Sequence, residues 1–240
     1  MRSATLLCLS LLLFGLLFGC GSPPTGETAG QPANAVPGNE TPAPRRQGTI
    51  VAFGDSLTAG FGVESGQSYP DYLQLELDRR GYSYEVINEG VSGDTSDTGL
   101  VRTDIVASRN PDFVIVAFGG NDGLRVLAVD RMKANLRRII TKLQRSGIQV
   151  VLAGIKLPPN YGADYRVPFE RAYVDLAAET GVAFLPFLLE GVWDKPGSMQ
   201  NDGVHPTPQG HGRIALNVLE VLEPLLKAKQ KQQAAPPPSY

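Results

Sequence analysis

Four short blocks of the chain set a hydroxyl, an amide, carboxylates and an imidazole among glycines. They are Gly54-Asp55-Ser56-Leu57-Thr58-Ala59-Gly60, Ser92-Gly93-Asp94-Thr95-Ser96, Gly119-Gly120-Asn121-Asp122-Gly123-Leu124 and Asp202-Gly203-Val204-His205-Pro206. A serine hydroxyl is a poor nucleophile until an imidazole takes its proton, and that imidazole must be held in one tautomer by a carboxylate. The chain has 2 histidines, so the choice of base is narrow. His205 follows Asp202 by three residues in a loop bounded by Gly and Pro, where both side chains can point the same way. His211 lies between two glycines inside a helix-forming segment and reads as structural or superficial. Ser56 is therefore the candidate nucleophile, His205 the base and Asp202 its orienting carboxylate. Negative charge on a tetrahedral oxygen needs donors already in place. The N–H of Ser56, the N–H of Gly93 and the side-chain amide of Asn121 are the candidates. Asp55 and Asp122 read as anchors of their own turns. A metal site built on His205 and His211 lacks a third convincing ligand, and no metal or cofactor is expected.

Taken singly, each block has an ordinary explanation: a helix N-cap, a flexible loop, a turn. What joins them is where they fall. Short β-prone runs alternate with longer helix-like segments: strands over Thr49–Phe53, Tyr84–Ile87, Phe113–Ala117, Gln149–Ala153 and Ala183–Leu185, and helices over Tyr69–Arg80, Ser96–Ser108, Asp130–Ser146, Tyr165–Thr180 and Pro208–Leu226. Gly81, Gly147 and Gly181 stand where three of those helices should stop. The first and third strands are nearly all apolar, as strands covered on both faces are. The pattern predicts an α/β three-layer sandwich on a five-stranded parallel sheet with flavodoxin-like strand order. Ligands of such sheets sit at the carboxyl ends of the strands, and the first three blocks follow strands there.

The rest of the chain limits the alternatives. Both cysteines, Cys8 and Cys20, lie in the first twenty residues, so no disulfide, cysteine nucleophile or thiolate metal site is available from Gly21 onward. Between Gly48 and Leu226, 16 Lys and Arg face 22 Asp and Glu with no basic stripe, which argues against nucleic acid as a partner. Residues 1–19 carry Arg2 and then an apolar run too short for the roughly 20 residues of a membrane span, and they read as a signal peptide. Leu17-Phe18-Gly19-Cys20 resembles the lipobox of bacterial lipoproteins, which makes Cys20 a lipid-bearing N-terminus; the alternative is an ordinary secretory signal. Residues 20–47, rich in Pro, Gly, Thr, Ala and Asn, read as a flexible tether, and residues 227–240 as a disordered tail. The folding unit is thus expected over 48–226, as an exported monomer held to a bacterial membrane, the outer membrane facing the periplasm if the host has one.

The blocks GDSLTAG, SGDTS, GGNDGL and DGVHP resemble those of the SGNH, or GDSL, hydrolases, whose name lists the Ser, Gly, Asn and His that stand here as Ser56, Gly93, Asn121 and His205. The stretches LPPNYGADY, LPFLLEGV and MQNDGVHP are similar to those of periplasmic multifunctional esterases of this family, which act as acyl-CoA thioesterase, arylesterase and lysophospholipase. The resemblance covers about residues 49–225. It implies a serine esterase that works through an acyl-enzyme on Ser56, takes a small-molecule ester or lysophospholipid, and needs no cofactor. It also implies that the apolar connection after Asn121 closes over the acyl chain, which makes Leu124, Val126, Leu127, Pro158 and Tyr161 the candidate substrate contacts. A competing reading makes Val126, Leu127 and Val129 the start of the next helix's buried face. Two other functions stay open: a carbohydrate O-deacetylase with the same catalytic set, and a non-catalytic lipoprotein that binds lipid.

Overall fold

Ile50, Val51, Ala52 and Phe53 in strand β1 (Gly48–Gly54) and every residue of β3 (Phe113–Ala117) are buried, so these two runs form the middle of a sheet. A computed structural model describes residues 46–234. It pairs β1 in parallel with β2 (Tyr84–Gly90) on one side and β3 on the other, and continues through β4 (Gln149–Ala153) to β5 (Ala183–Leu185). The strand order is β2-β1-β3-β4-β5. The chain steps outward from β1 to β2 and then back across to β3, so its direction of winding reverses beside β1, where such sheets bind ligands.

Register decides where the site forms. Gly54, the last residue of β1, lies opposite both Gly90 of β2 and Ala117 of β3. Three strands therefore end level, and the loops that follow them emerge side by side at one edge. Helices cover both faces: α2 (Tyr69–Arg79) packs with α7 (Pro208–Ala234), and α3 (Ser96–Ser108), α5 (Val129–Arg145) and α6 (Ala163–Thr180) pack in sequence as a second layer. Tyr69 and Leu73 of α2, Leu136 and Ile139 of α5, and Ile214 and Leu222 of α7 supply fully buried apolar contacts to these layers.

Three details depart from expectation. Strand β2 runs to Gly90, so Asn88 and Glu89 lie in the ladder opposite Ala52 and Phe53 and are not part of the following loop. The single-turn helices α1 (Ser56–Ala59) and α4 (Gly120–Leu124) and the 3₁₀ turn Pro159–Tyr161 are too short to leave a hydrophobic period. Finally, α7 does not stop at Leu226 but continues to Ala234. Lys, Gln and Ala are good helix formers, and Lys229 pairs with Asp112, the residue just before β3. The expected signal peptide, Cys20 and most of the tether lie outside the described residues, as do residues 235–240. No helix among the described residues is long and apolar enough to cross a membrane.

Candidate active site

The corner after β1 is built by Asp55. Its Oδ1 accepts the N–H of Leu57 at 3.0 Å, capping α1, and the chain turns sharply so that Ser56 heads the helix with its hydroxyl partly exposed. Asp55 itself is buried. Burial pushes its carboxyl up to about 7; the Leu57 N–H opposes the shift, and the nearby Asp122 and Asp94 add to it. It anchors its turn, as expected.

The loop before α7 carries the candidate base. Asp202 Oδ1 accepts the backbone N–H of Val204 at 2.9 Å and of His205 at 3.0 Å, so the carboxylate folds the loop around itself. Its Oδ2 lies 2.6 Å from His205 Nδ1, and His205 Nε2 lies 2.9 Å from Ser56 Oγ. Partial burial works against the Asp202 charge, but the His205 N–H, the His205 ring and the Val204 N–H overcome it and hold the carboxyl at about 2. Phe61 lies against the His205 ring at 4.5 Å between centroids. Gln200 ties the whole loop together: its backbone N–H donates to His205 O, and its Nε2 donates to Phe61 O and Pro206 O, each at 2.8 Å.

On the other side of Ser56 stand the loops after β2 and β3. Gly93 has φ of 87°, a conformation that favours glycine, and its exposed N–H belongs to a turn closed by the Asp94 N–H on Val91 O. Asn121 donates from Nδ2 to Asp94 O at 2.9 Å, which leaves its second amide proton for a ligand. Gly119, at φ 115°, lets the chain turn into α4 beneath Tyr173, whose hydroxyl donates to Phe118 O and would meet any Cβ at 1.9 Å. Asp122 does not anchor its own turn as expected. Its carboxylate accepts the N–H and hydroxyl of Ser96 at 2.8 and 2.6 Å, pinning the start of α3 beside α4.

An apolar cleft of about 270 Å³ opens beside this group. Leu57, Leu124, Leu157, Pro158, Tyr161 and Trp193 form much of its wall, and Asp202 and Gly120 also line it. Of the expected substrate contacts, Leu124, Pro158 and Tyr161 are in this wall. Val126 and Leu127 do not line it. Val126 adopts φ of 53° and is 60% exposed, and the carbonyl of the half-buried Leu127 accepts the Tyr165 hydroxyl at 2.7 Å. The reversal at Val126 also puts both residues ahead of α5 and off its buried face. Trp193, Phe61 and Arg125 complete the site without any pattern that marks them in the sequence, and Gln200 stands in the MQNDGVHP stretch without a mark of its own. His211 is fully buried in α7, accepting the Tyr69 N–H at Nδ1. Among the described residues no group of three or more His, Cys, Asp or Glu could hold a metal ion.

A hydroxyl placed against Nε2 of an imidazole, with a carboxylate on Nδ1 and backbone and amide donors across from it, can attack an ester carbonyl and stabilise the resulting oxyanion. Known proteins are similar to the chain over most of its length. The profile of the GDSL-like lipase/acylhydrolase family matches residues 52–213. Esterase TesA of Pseudomonas aeruginosa is 42% identical over 179 residues, covering 74% of this chain and 89% of that esterase. Thioesterase 1/protease 1/lysophospholipase L1 of Escherichia coli is 36% identical over 179 residues, covering 74% of this chain and 85% of that enzyme. The crystal structure of TesA matches the fold with a TM-score of 0.72 at 41% identity, over 74% of this chain and 99% of that one.

Proposed function

The chain belongs to the GDSL-like lipase/acylhydrolase family and is a serine ester hydrolase, and from that premise we propose that it cleaves esters or thioesters of medium and long acyl chains through an acyl-enzyme on Ser56. The observation that carries the reading is the continuous Asp202–His205–Ser56 hydrogen-bond path, 2.6 and 2.9 Å in its two steps, at the end of an apolar cleft. Ser56 Oγ attacks the carbonyl carbon while His205 Nε2 takes the hydroxyl proton. The tetrahedral oxygen receives the N–H of Ser56, the N–H of Gly93 and the free amide proton of Asn121. His205 then protonates the departing alcohol or thiol, and water enters by the reverse route to release the acid. Asp202 keeps the proton on Nδ1, so that Nε2 is the acceptor whenever the cycle begins.

The cleft favours an acyl chain over an acetyl group, because walls of Leu57, Leu124, Leu157 and Trp193 offer an acetylated sugar few hydrogen bonds. Arylesters, lysophospholipids and acyl thioesters share the acyl half of this chemistry and differ only in the leaving group. Ser56→Ala and His205→Ala are expected to lower kcat by about 10⁴-fold or more while the protein stays folded. A series of chromogenic esters from about two to sixteen carbons is expected to be cleaved best above about four; a sharp preference for acetyl would hand the reading to the deacetylase. Export and anchoring through Cys20 rest on the sequence of residues 1–20 alone. Cys20→Ala should move the protein from the membrane to the soluble fraction, and retention in the membrane would end the lipoprotein reading.

A further inference from the structure

Two donors of the proposed oxyanion site belong to different loops. Gly93 follows β2 and Asn121 follows β3, and a tetrahedral oxygen can use both only if their separation is set before charge develops. Beyond the bond from Asn121 to Asp94 O, one further side chain reaches both. Arg125 donates from one guanidinium nitrogen to Gly93 O at 3.0 Å and to Asn121 Oδ1 at 3.3 Å. Gly93 has little else around it: a Cβ built there would have only that same nitrogen within 4 Å.

The arginine is held from behind. It is the C-cap of α4, its N–H donating to Asn121 O at 3.2 Å, and the next residue, Val126, takes the left-handed conformation that reverses the chain. A β-branched residue there costs on the order of 1–3 kcal/mol, so the surroundings must impose it. Tyr161 supplies part of that force by donating to Leu124 O at 3.2 Å, and Tyr165 by donating to Leu127 O. The strained turn is thus strapped on both sides of Arg125, and the guanidinium is presented to the two loops from a fixed base.

We propose that Arg125 is a positioning residue for the oxyanion site: it sets the spacing and orientation of the Gly93 N–H and the Asn121 amide through Gly93 O and Asn121 Oδ1, without touching the substrate. The inference rests on the assignment of those two groups as oxyanion donors. Misplacing a catalytic group by about 1 Å can cost about a hundredfold in rate. Arg125→Ala is therefore expected to lower kcat on a short chromogenic ester by about ten- to a hundredfold while KM stays within about twofold. The affinity for a reversible tetrahedral mimic, an alkylboronic acid, should weaken by the same factor as kcat/KM. Arg125→Lys keeps the charge but not the planar donor that spans two acceptors, so it should recover only a minor part of the loss.

Parental kcat in Arg125→Ala overturns the inference. So does full activity in Arg125→Lys, which would leave a role for charge but none for the bridge, and so does a kcat loss with unchanged boronic acid affinity, which would be a general loosening of the fold. Asn121→Ala measured alongside separates the levels: if it keeps parental kcat, the donor assignment itself falls, whereas an impaired Asn121→Ala with an unaffected Arg125→Ala removes only the bridge.

Discussion

The molecule holds two aspartate–histidine sets at opposite extremes of solvation. At the mouth, Asp202 and His205 share a loop; the Asp202 side chain is 42% exposed and its carboxyl sits at about 2. In the interior, Asp55 caps α1 and His211 lies in α7, both almost without exposed surface; burial carries the Asp55 carboxyl up to about 7 and the His211 ring down to about 4. The two carboxyls are the same chemical group, yet they ionise differently according to what surrounds them. Asp202 is given two N–H groups and an imidazole, which keep it charged in spite of its partial burial. Asp55 is given one N–H and two acidic neighbours. At the mouth the carboxylate is bonded to an imidazole whose other nitrogen reaches the Ser56 hydroxyl; in the interior the carboxyl and the imidazole each hold a backbone N–H, of Leu57 and of Tyr69.

The largest test removes the charge at the mouth while keeping the loop. In Asp202→Asn the amide oxygen can still accept the N–H groups of Val204 and His205, but the pairing that fixes the His205 tautomer is lost. A drop in kcat of about 10³- to 10⁴-fold with little change in thermal midpoint is expected. Activity within tenfold of the parent would mean that Asp202 serves only to shape the loop. Because Asp202 stays ionised to about pH 2, lowering the pH from 7 to 4 should not produce an activity loss that Asp202→Asn abolishes.

How far the sequence reveals each set follows from the kind of partner involved. Ser56, Asp202 and His205 are legible because side chain answers side chain and only two histidines compete for the role. The central strands are legible because β1 and β3 are buried on both faces and read as unbroken apolar runs. Arg125 and Gln200 are not, since most of what they bind is backbone carbonyl, which every residue carries and no motif records. Val126 and Leu127 mislead for the opposite reason: their apolarity suits an acyl cleft, but a left-handed turn at Val126 intervenes and neither lines it. The end of α7 misleads because Lys, Gln and Ala suit both a solvated tail and a solvated helix, and the pairing of Lys229 with the distant Asp112 favours the helix.

A smaller effect is expected where the buried carboxyl is neutralised for good. The Asp55 value of about 7 in the folded protein lies above the 3.8 of a free side chain. Between those values the unfolded chain has lost a proton that the folded chain keeps, so this group lowers stability as pH rises from about 4 to 7 and adds nothing further above that. Asn at this position keeps an acceptor for the Leu57 N–H and cannot titrate. The stability of Asp55→Asn relative to the parent should therefore grow by on the order of 2–4 kcal/mol between pH 4.5 and 7.5, read from urea unfolding. A difference that does not move with pH would show that Asp55 is charged in its cap.

The buried imidazole supplies the gentlest test, because it leaves the reaction alone. Nδ1 of His211 accepts the Tyr69 N–H at 3.2 Å, so the neutral ring carries its proton on Nε2, which has no partner among the described residues. Protonation would turn that acceptor into a donor facing another donor. Burial and the charge of His205 both oppose the imidazolium, and the Asp71 carboxylate offsets them only in part. The unfolded chain takes up this proton below about 6.5 and the folded chain only near 4, so stability should fall as pH drops between those values and hold above them. Asn at 211 can present an acceptor to Tyr69 without titrating. Its own cost should be a constant offset, and the gap between parent and His211→Asn should narrow by on the order of 2 kcal/mol from pH 6.5 to 4.5, while activity at pH 7.5 stays within about twofold. A gap that keeps its width would mean that the interior tolerates the charged ring, and a large activity loss at pH 7.5 would mean that the two histidines are not separate in function.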